Sequence, residues 1–117
     1  MFTPPTNLNH VIKGISTPWS PVELARSNCH VVNIALFKGE YNWHVHEHDD
    51  DLFLVYRGEI VIQLQGKPDI VLKAGEIAVV PKGVPHCPKS DAGAYVLMFE
   101  PADMQTVTLP ASPQSLP

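Results

Sequence analysis

Three histidines and one aspartate have the types and spacing to hold a metal ion: His44 and His46 with Asp51 in one stretch, and His86 in a second. Successive side chains of a strand point to opposite faces, so His44 and His46 project the same way and can grip one ion. Neutral imidazoles with a carboxylate suit a single divalent metal, Fe, Mn, Ni, Cu or Zn, and leave coordination positions open for water or substrate. His48 continues the alternation, but the acidic loop around it turns it to solvent. Asp49 and Asp50 read as a solvated turn, either replacing Asp51 only if the register slips by one. His10 and His30 read as surface or packed residues.

The elements that must position these groups are strands. From His30 to about Glu100 short β-rich runs are broken by glycine, proline and aspartate at close intervals. Val31 to Lys38 stops at Gly39, Leu52 to Arg57 stops at Gly58, and Glu59 to Gln65 alternates Ile60, Ile62 and Leu64 with polar partners. Gly66 to Asp69 turns the chain into Ile70 to Leu72, and Lys73 to Glu76 turns it into Ile77 to Val80. Pro81 to Pro85 forms a tight corner, and Ala94 to Phe99 is a final apolar strand. About eight short strands in one domain predict an antiparallel sandwich or barrel, since closure removes unpaired edges.

The predicted organisation is an N-terminal extension over residues 1–29, a barrel over 30–100 and a proline-rich tail over 101–117. Ser20-Pro21-Val22-Glu23 has the spacing of a capping box with proline at the first helical position, which predicts a short helix there. The end of the tail reads as disordered or draped on the surface, and residues 1–10 read similarly.

Counting faces from Asp51, Phe53 shares its side and becomes the candidate pocket wall, whereas Tyr56 points outward. Tyr41, Trp43 and Tyr56 read as core or interface, Arg57 as an exposed strand end. The role of Lys82, in the corner before His86, stays open.

At 117 residues the chain is one domain with enough length for a sizeable core. A formal net charge of -4 with scattered basic residues gives no footprint for nucleic acid or an anionic membrane. No apolar run reaches a membrane-spanning length, and Met1 to Asn9 lacks the features of a signal peptide, so a cytoplasmic location is expected. Cys29 and Cys87 make no disulfide framework and are expected reduced, Cys87 as a packed, inert thiol.

From Gly39 to Ser90 the chain resembles the cupin family, as a small single-domain member. The first cupin motif is met by Gly39, His44, His46, Asp51 and Gly58, and the second by Gly75, Pro81, Gly83 and His86. Gly39 stands one residue closer to His44 than the pattern has it, Ser90 replaces an asparagine, and Asp51 replaces a glutamate one methylene longer. The resemblance implies an all-β jelly-roll barrel with the metal inside, His44, His46 and His86 as firm ligands and Asp51 as the fourth.

Among cupins such a centre supports dioxygenases, isomerases and decarboxylases acting on small molecules, so a mononuclear metal enzyme is the leading expectation. The alternatives are a non-catalytic binding or sensing module with a structural metal, and a barrel acting as an assembly partner. Small cupins commonly pair, so a homodimer is expected with any of these.

Overall fold

The β-rich runs named above form strands, and they pair around a single long one. The computed structural model describes residues 3–110, in which one helix, α1 (Leu8–Ile12), precedes nine strands. These are β1 (Val22–Ser27), β2 (His30–Glu40), β3 (His44–Val45), β4 (Asp51–Arg57), β5 (Glu59–Leu64), β6 (Lys67–Lys73), β7 (Ile77–Val80), β8 (His86–Pro101) and β9 (Val107–Thr108). All the strand ladders are antiparallel. No helix among the described residues is long and apolar enough to cross a membrane.

β8 joins the two walls of the barrel. Its first half pairs with β5, Val61 opposite Lys89 and Leu64 opposite His86. Its second half pairs with β4, Leu52 opposite Phe99 and Val55 opposite Val96. β2 accompanies both halves, but Phe37 faces Ala94 while Gly39 faces Ser90, so residues 91–93 bulge opposite Lys38. Ser90 holds this bulge: its hydroxyl donates to the Glu59 carbonyl at 2.7 Å and accepts from the Gly93 amide at 3.2 Å.

Strand alternation sorts the core. Ala35, Phe37, Phe53, Val55, Ile60, Ile62, Val96 and Met98 face inward in one buried cluster. Each fully buried large apolar side chain contributes about 1.5–3 kcal/mol. His44, His46, Asp51 and His86 are buried at one end of this interior.

Two expectations are corrected. Ser20 to Glu23 is no helix: Val22 and Glu23 open strand β1, pairing with Ile34 and Asn33 of β2. The capping pattern is not followed by apolar residues at helical spacing, and a neighbouring strand offers the backbone its hydrogen bonds instead. The helix lies earlier, where the Asn7 side chain caps it by accepting from the His10 amide.

The final strand is also longer than expected, running from His86 to Pro101. Part of the proline-rich tail pairs as well, Val107 with Val45 and Thr108 with His44. The part of the expected disordered tail at 111–117 lies outside the described residues.

Candidate metal centre

Two adjacent ladders bring the four groups together. β3 places His44 directly opposite His86 of β8, and β4 begins at Asp51, opposite Val80. The turn before His86 is tied to the first motif, since the Gly83 amide donates to the His46 carbonyl at 2.8 Å. The Lys82 amide donates to Asp50 Oδ1 at 2.9 Å, which turns that carboxylate away from the interior. His48 is exposed, as expected.

Each histidine is oriented by a backbone carbonyl. Nδ1 of His44 lies 2.8 Å from the Asn42 carbonyl, that of His46 3.0 Å from the Gln105 carbonyl, and that of His86 2.9 Å from the Val84 carbonyl. A carbonyl only accepts, so each Nδ1 carries the hydrogen and each Nε2 is left to face the interior. Such carbonyl partners fix ring orientation and tautomer in metal-binding histidines. Nε2 of His46 lies 3.2 Å from Asp51 Oδ2, and Nε2 of His86 lies 3.9 Å from the same oxygen.

These four donors fit one divalent ion. One donor atom from each residue lies within 4.8 Å of all the others. Two donors about 2.1 Å from a common ion stand at most about 4.2 Å apart, so small side-chain rotations close the difference. Asp51 Oδ1 and His86 Nε2 are buried without a hydrogen-bond partner. Orphaned polar atoms in a buried site are costly unless something binds them, and a cation satisfies both. Asp51, although shorter than the family's glutamate, reaches the histidines.

Electrostatics divides the four groups. Burial, and then the neighbouring His86, lowers His44 to about 4. Burial also disfavours charge on His46, but the hydrogen bond with Asp51 and the Gln105 carbonyl outweigh it, and its pKa is raised. For Asp51 burial acts upward and is outweighed by the hydrogen bond from His46 and by the nearby His86 imidazole, leaving the carboxyl lowered. Without an ion, therefore, His46 and Asp51 form the charged pair at pH below the raised His46 value, and His44 is neutral above about 4.

Beside these residues lies a cavity of about 200 Å³. Phe53 forms part of its wall, as the face count from Asp51 predicts. Tyr41, expected in core or interface, also lines it, whereas Trp43 is buried and its carbonyl accepts from the Leu109 amide. Tyr56 points outward to Asn9, and Arg57 is exposed.

Trp19, Glu100, Met104 and Thr106 also line the cavity, and sequence reading missed them. The face of Glu100 was legible from Val96 and Met98, which alternate with it on β8. Trp19 gave no such signal: it has φ 59, a sparsely populated region for a bulky residue, and is held by its amide on the Leu36 carbonyl. The Thr106 hydroxyl lies 3.2 Å from His46 Nδ1.

Comparison with known proteins agrees with this geometry. The family described as Cupin domain matches residues 35–100. The uncharacterized protein YdbB of Bacillus subtilis (strain 168) is 33% identical over 107 residues, covering 92% of this chain and 95% of its own. A cupin-2 domain containing protein of Shewanella frigidimarina NCIMB 400 superposes with TM-score 0.79 at 32% identity, over 82% of this chain and 93% of that one.

The hydroquinone 1,2-dioxygenase of Sphingomonas sp. TTNP3, solved with 4-hydroxybenzoate bound, has TM-score 0.72 over 85% of this chain and 72% of its own. At 18% identity that likeness is one of fold alone. With both motifs inside the matched region and their histidines gathered at one buried point, the chain belongs to the cupin family, as an all-β jelly-roll barrel.

Proposed function

We propose that this protein is a mononuclear metal-dependent enzyme acting on a small molecule, of dioxygenase type, with His44, His46, Asp51 and His86 holding one Fe, Mn, Ni, Cu or Zn ion. The observation that carries this reading is the set of three buried histidines, each with Nδ1 on a carbonyl, grouped around Asp51 at the edge of a cavity. A bound ion supplies Lewis acidity or a site for O2. The protein supplies orientation through those carbonyls, while Phe37, Phe53 and Met98 exclude water from the inner side. The dioxygenase neighbour lends support at the level of fold, which by itself does not define activity.

The test is elemental analysis of protein purified without chelating resin, wild type and His46→Ala, with O2 consumption measured after anaerobic Fe(II) loading. Near-stoichiometric metal that the variant loses, with O2 uptake on a small-molecule panel, is the expected result. Metal without any turnover would favour a binding or sensing module, and no metal in either protein would sink the proposal.

The chain also carries a surface suited to a second copy. Phe99, Leu52 and Val79 form a cross-strand row on the outer face, with Ile77 beside them, and Phe99, Val79 and Ile77 are 40%, 46% and 60% exposed. Homodimerisation through this face predicts a dimer by size exclusion at several concentrations, and a strict monomer would remove it. The free thiols Cys29 and Cys87 fit a reducing, cytoplasmic setting.

A further inference from the structure

The cavity beside the four ligands contains an acid that the metal site does not use. Val96, Met98 and Glu100 alternate on one face of β8, and Glu100 lines the cavity together with Met98 and Met104. Among the described residues its carboxyl forms no contact ion pair. Asn33 Nδ2, from the neighbouring strand β2, donates to Glu100 Oε1 at 3.1 Å, which orients the group without neutralising it. A carboxylate has about four acceptor positions, so this one bond leaves most of its capacity for a ligand.

The rest of the lining sharpens the choice of ligand. None of the chain's lysines or arginines reaches the cavity, whose ionisable and hydroxyl side chains are His44, His46, Asp51, Glu100, Thr106 and Tyr41. A carboxylate or phosphate ligand is ordinarily met by arginine, lysine or a cluster of backbone amides. Here the Glu100 carboxylate opposes an anion, which the metal centre alone would offset.

Another part of the lining is aromatic. The Trp19 ring lies 4.5 Å from that of Phe37 and 4.8 Å from that of Tyr41, centroid to centroid. Trp19 Nε1 already donates to the Lys38 carbonyl at 3.0 Å, so its ring serves as an apolar surface and not as a donor. At about 200 Å³ the cavity is smaller than the roughly 300–1,000 Å³ of pockets for drug-sized ligands, which limits the occupant to about one ring.

We infer that Glu100 is a specificity-determining residue, and that the cavity takes a small, uncharged, planar molecule whose hydroxyl or amino group donates to the Glu100 carboxylate, while rejecting carboxylates of the same size. This rests on the cavity being the substrate site of the proposed enzyme, and it names the substrate class.

Phenol and benzoate are the probes, titrated calorimetrically into wild type, Glu100→Gln and Glu100→Met, each metal-free and zinc-loaded, because an open zinc position itself attracts benzoate and the metal-free comparison isolates Glu100. Zinc keeps O2 chemistry out of the measurement. Glutamine retains the shape and the Asn33 bond, and methionine copies the neighbouring side chains should the glutamine variant fold poorly. Like-charge contact in a partly buried site is strongly unfavourable, so metal-free wild type should prefer phenol by about tenfold or more. The variants should narrow that preference by about tenfold, chiefly by gaining benzoate.

Benzoate bound to metal-free wild type as tightly as phenol, a preference unchanged in both variants, or no phenol binding at millimolar concentration would each overturn the inference. If the chain takes up no zinc, the metal-enzyme reading falls, while the same preference measured on the metal-free chain still decides the role of Glu100.

Discussion

His44 lies directly opposite His86 across the β3–β8 ladder, with ring centroids 4.3 Å apart. The arrangement keeps two imidazoles closer than two cations would tolerate, and it is one reason His44 is lowered to about 4, after burial itself. A donor held neutral in this way is ready for a metal at any pH above that value. The proton that a metal must displace sits elsewhere.

That proton is on His46, whose pKa is raised above its ordinary 6.5. Metal capture requires the neutral imidazole, so below the raised value affinity climbs with pH, by up to about tenfold per unit for each proton displaced, and flattens above it. Asp51, lowered from 3.8, is already ionised there and releases none. Zinc titrations at about pH 6 in buffers of different ionisation enthalpy should show release of at least one proton per ion. Binding with no proton release would contradict the assignment of the charged pair to His46 and Asp51.

Ending the chain after Pro101 removes the Gln105 carbonyl from His46 and strand β9 from β3. Loss of such an orienting partner typically lowers metal affinity about 10–100-fold. The truncated protein should keep its far-UV circular dichroism while its zinc dissociation constant rises by that factor. An unchanged constant would show that the segment is an ornament to the site.

Gly58, at φ +90, has no room for a side chain: a Cβ would lie 2.6 Å from the Gly93 carbonyl oxygen and 2.9 Å from Ala94 Cα. Both neighbours are backbone in the bulge region, so Gly58→Ala combines strain with a clash. The expected cost is about 2–4 kcal/mol, or a drop in Tm of about 10 °C or more. Gly66→Ala, at φ +70 with nothing within 4 Å, serves as the control. It should lose only the strain, about 1–2 kcal/mol, and equal losses in the two variants would refute the close approach.

Cys87 is buried, and its thiol is pushed up to about 11, first by burial and then by the nearby Glu40 carboxylate. At about pH 8 only around one molecule in a thousand is thiolate. A chromogenic disulfide reagent should therefore label one thiol per native chain, the exposed Cys29, and the second only after denaturation. Two fast thiols in the native protein would contradict this packing.

Local periodicity made much of this structure readable. Alternation fixed the shared face of His44 and His46, carried Phe53 onto the cavity from Asp51, and marked most strand limits, because side-chain direction is set within a few residues. Long-range partners were not readable. Ser20 to Glu23 reads as a helix start until β2 supplies hydrogen bonds to it, and the pairing of Val107 and Thr108 has no local signal because its partner β3 lies some sixty residues earlier. Trp19 and Glu100 escaped for the same reason: what matters about each is the cavity it meets, and that exists only once distant strands close around it.

The carbonyl that steers His46 lies 59 residues further along the chain. During synthesis all four candidate ligands emerge well before Gln105 does, and a chain paused there has the donors without the last restraint on their direction. Selectivity among competing ions depends on geometry more than on intrinsic affinity. For the proposed metal site, the restraint on His46 that favours discrimination would thus be acquired late in the life of the nascent chain, after the four donors themselves.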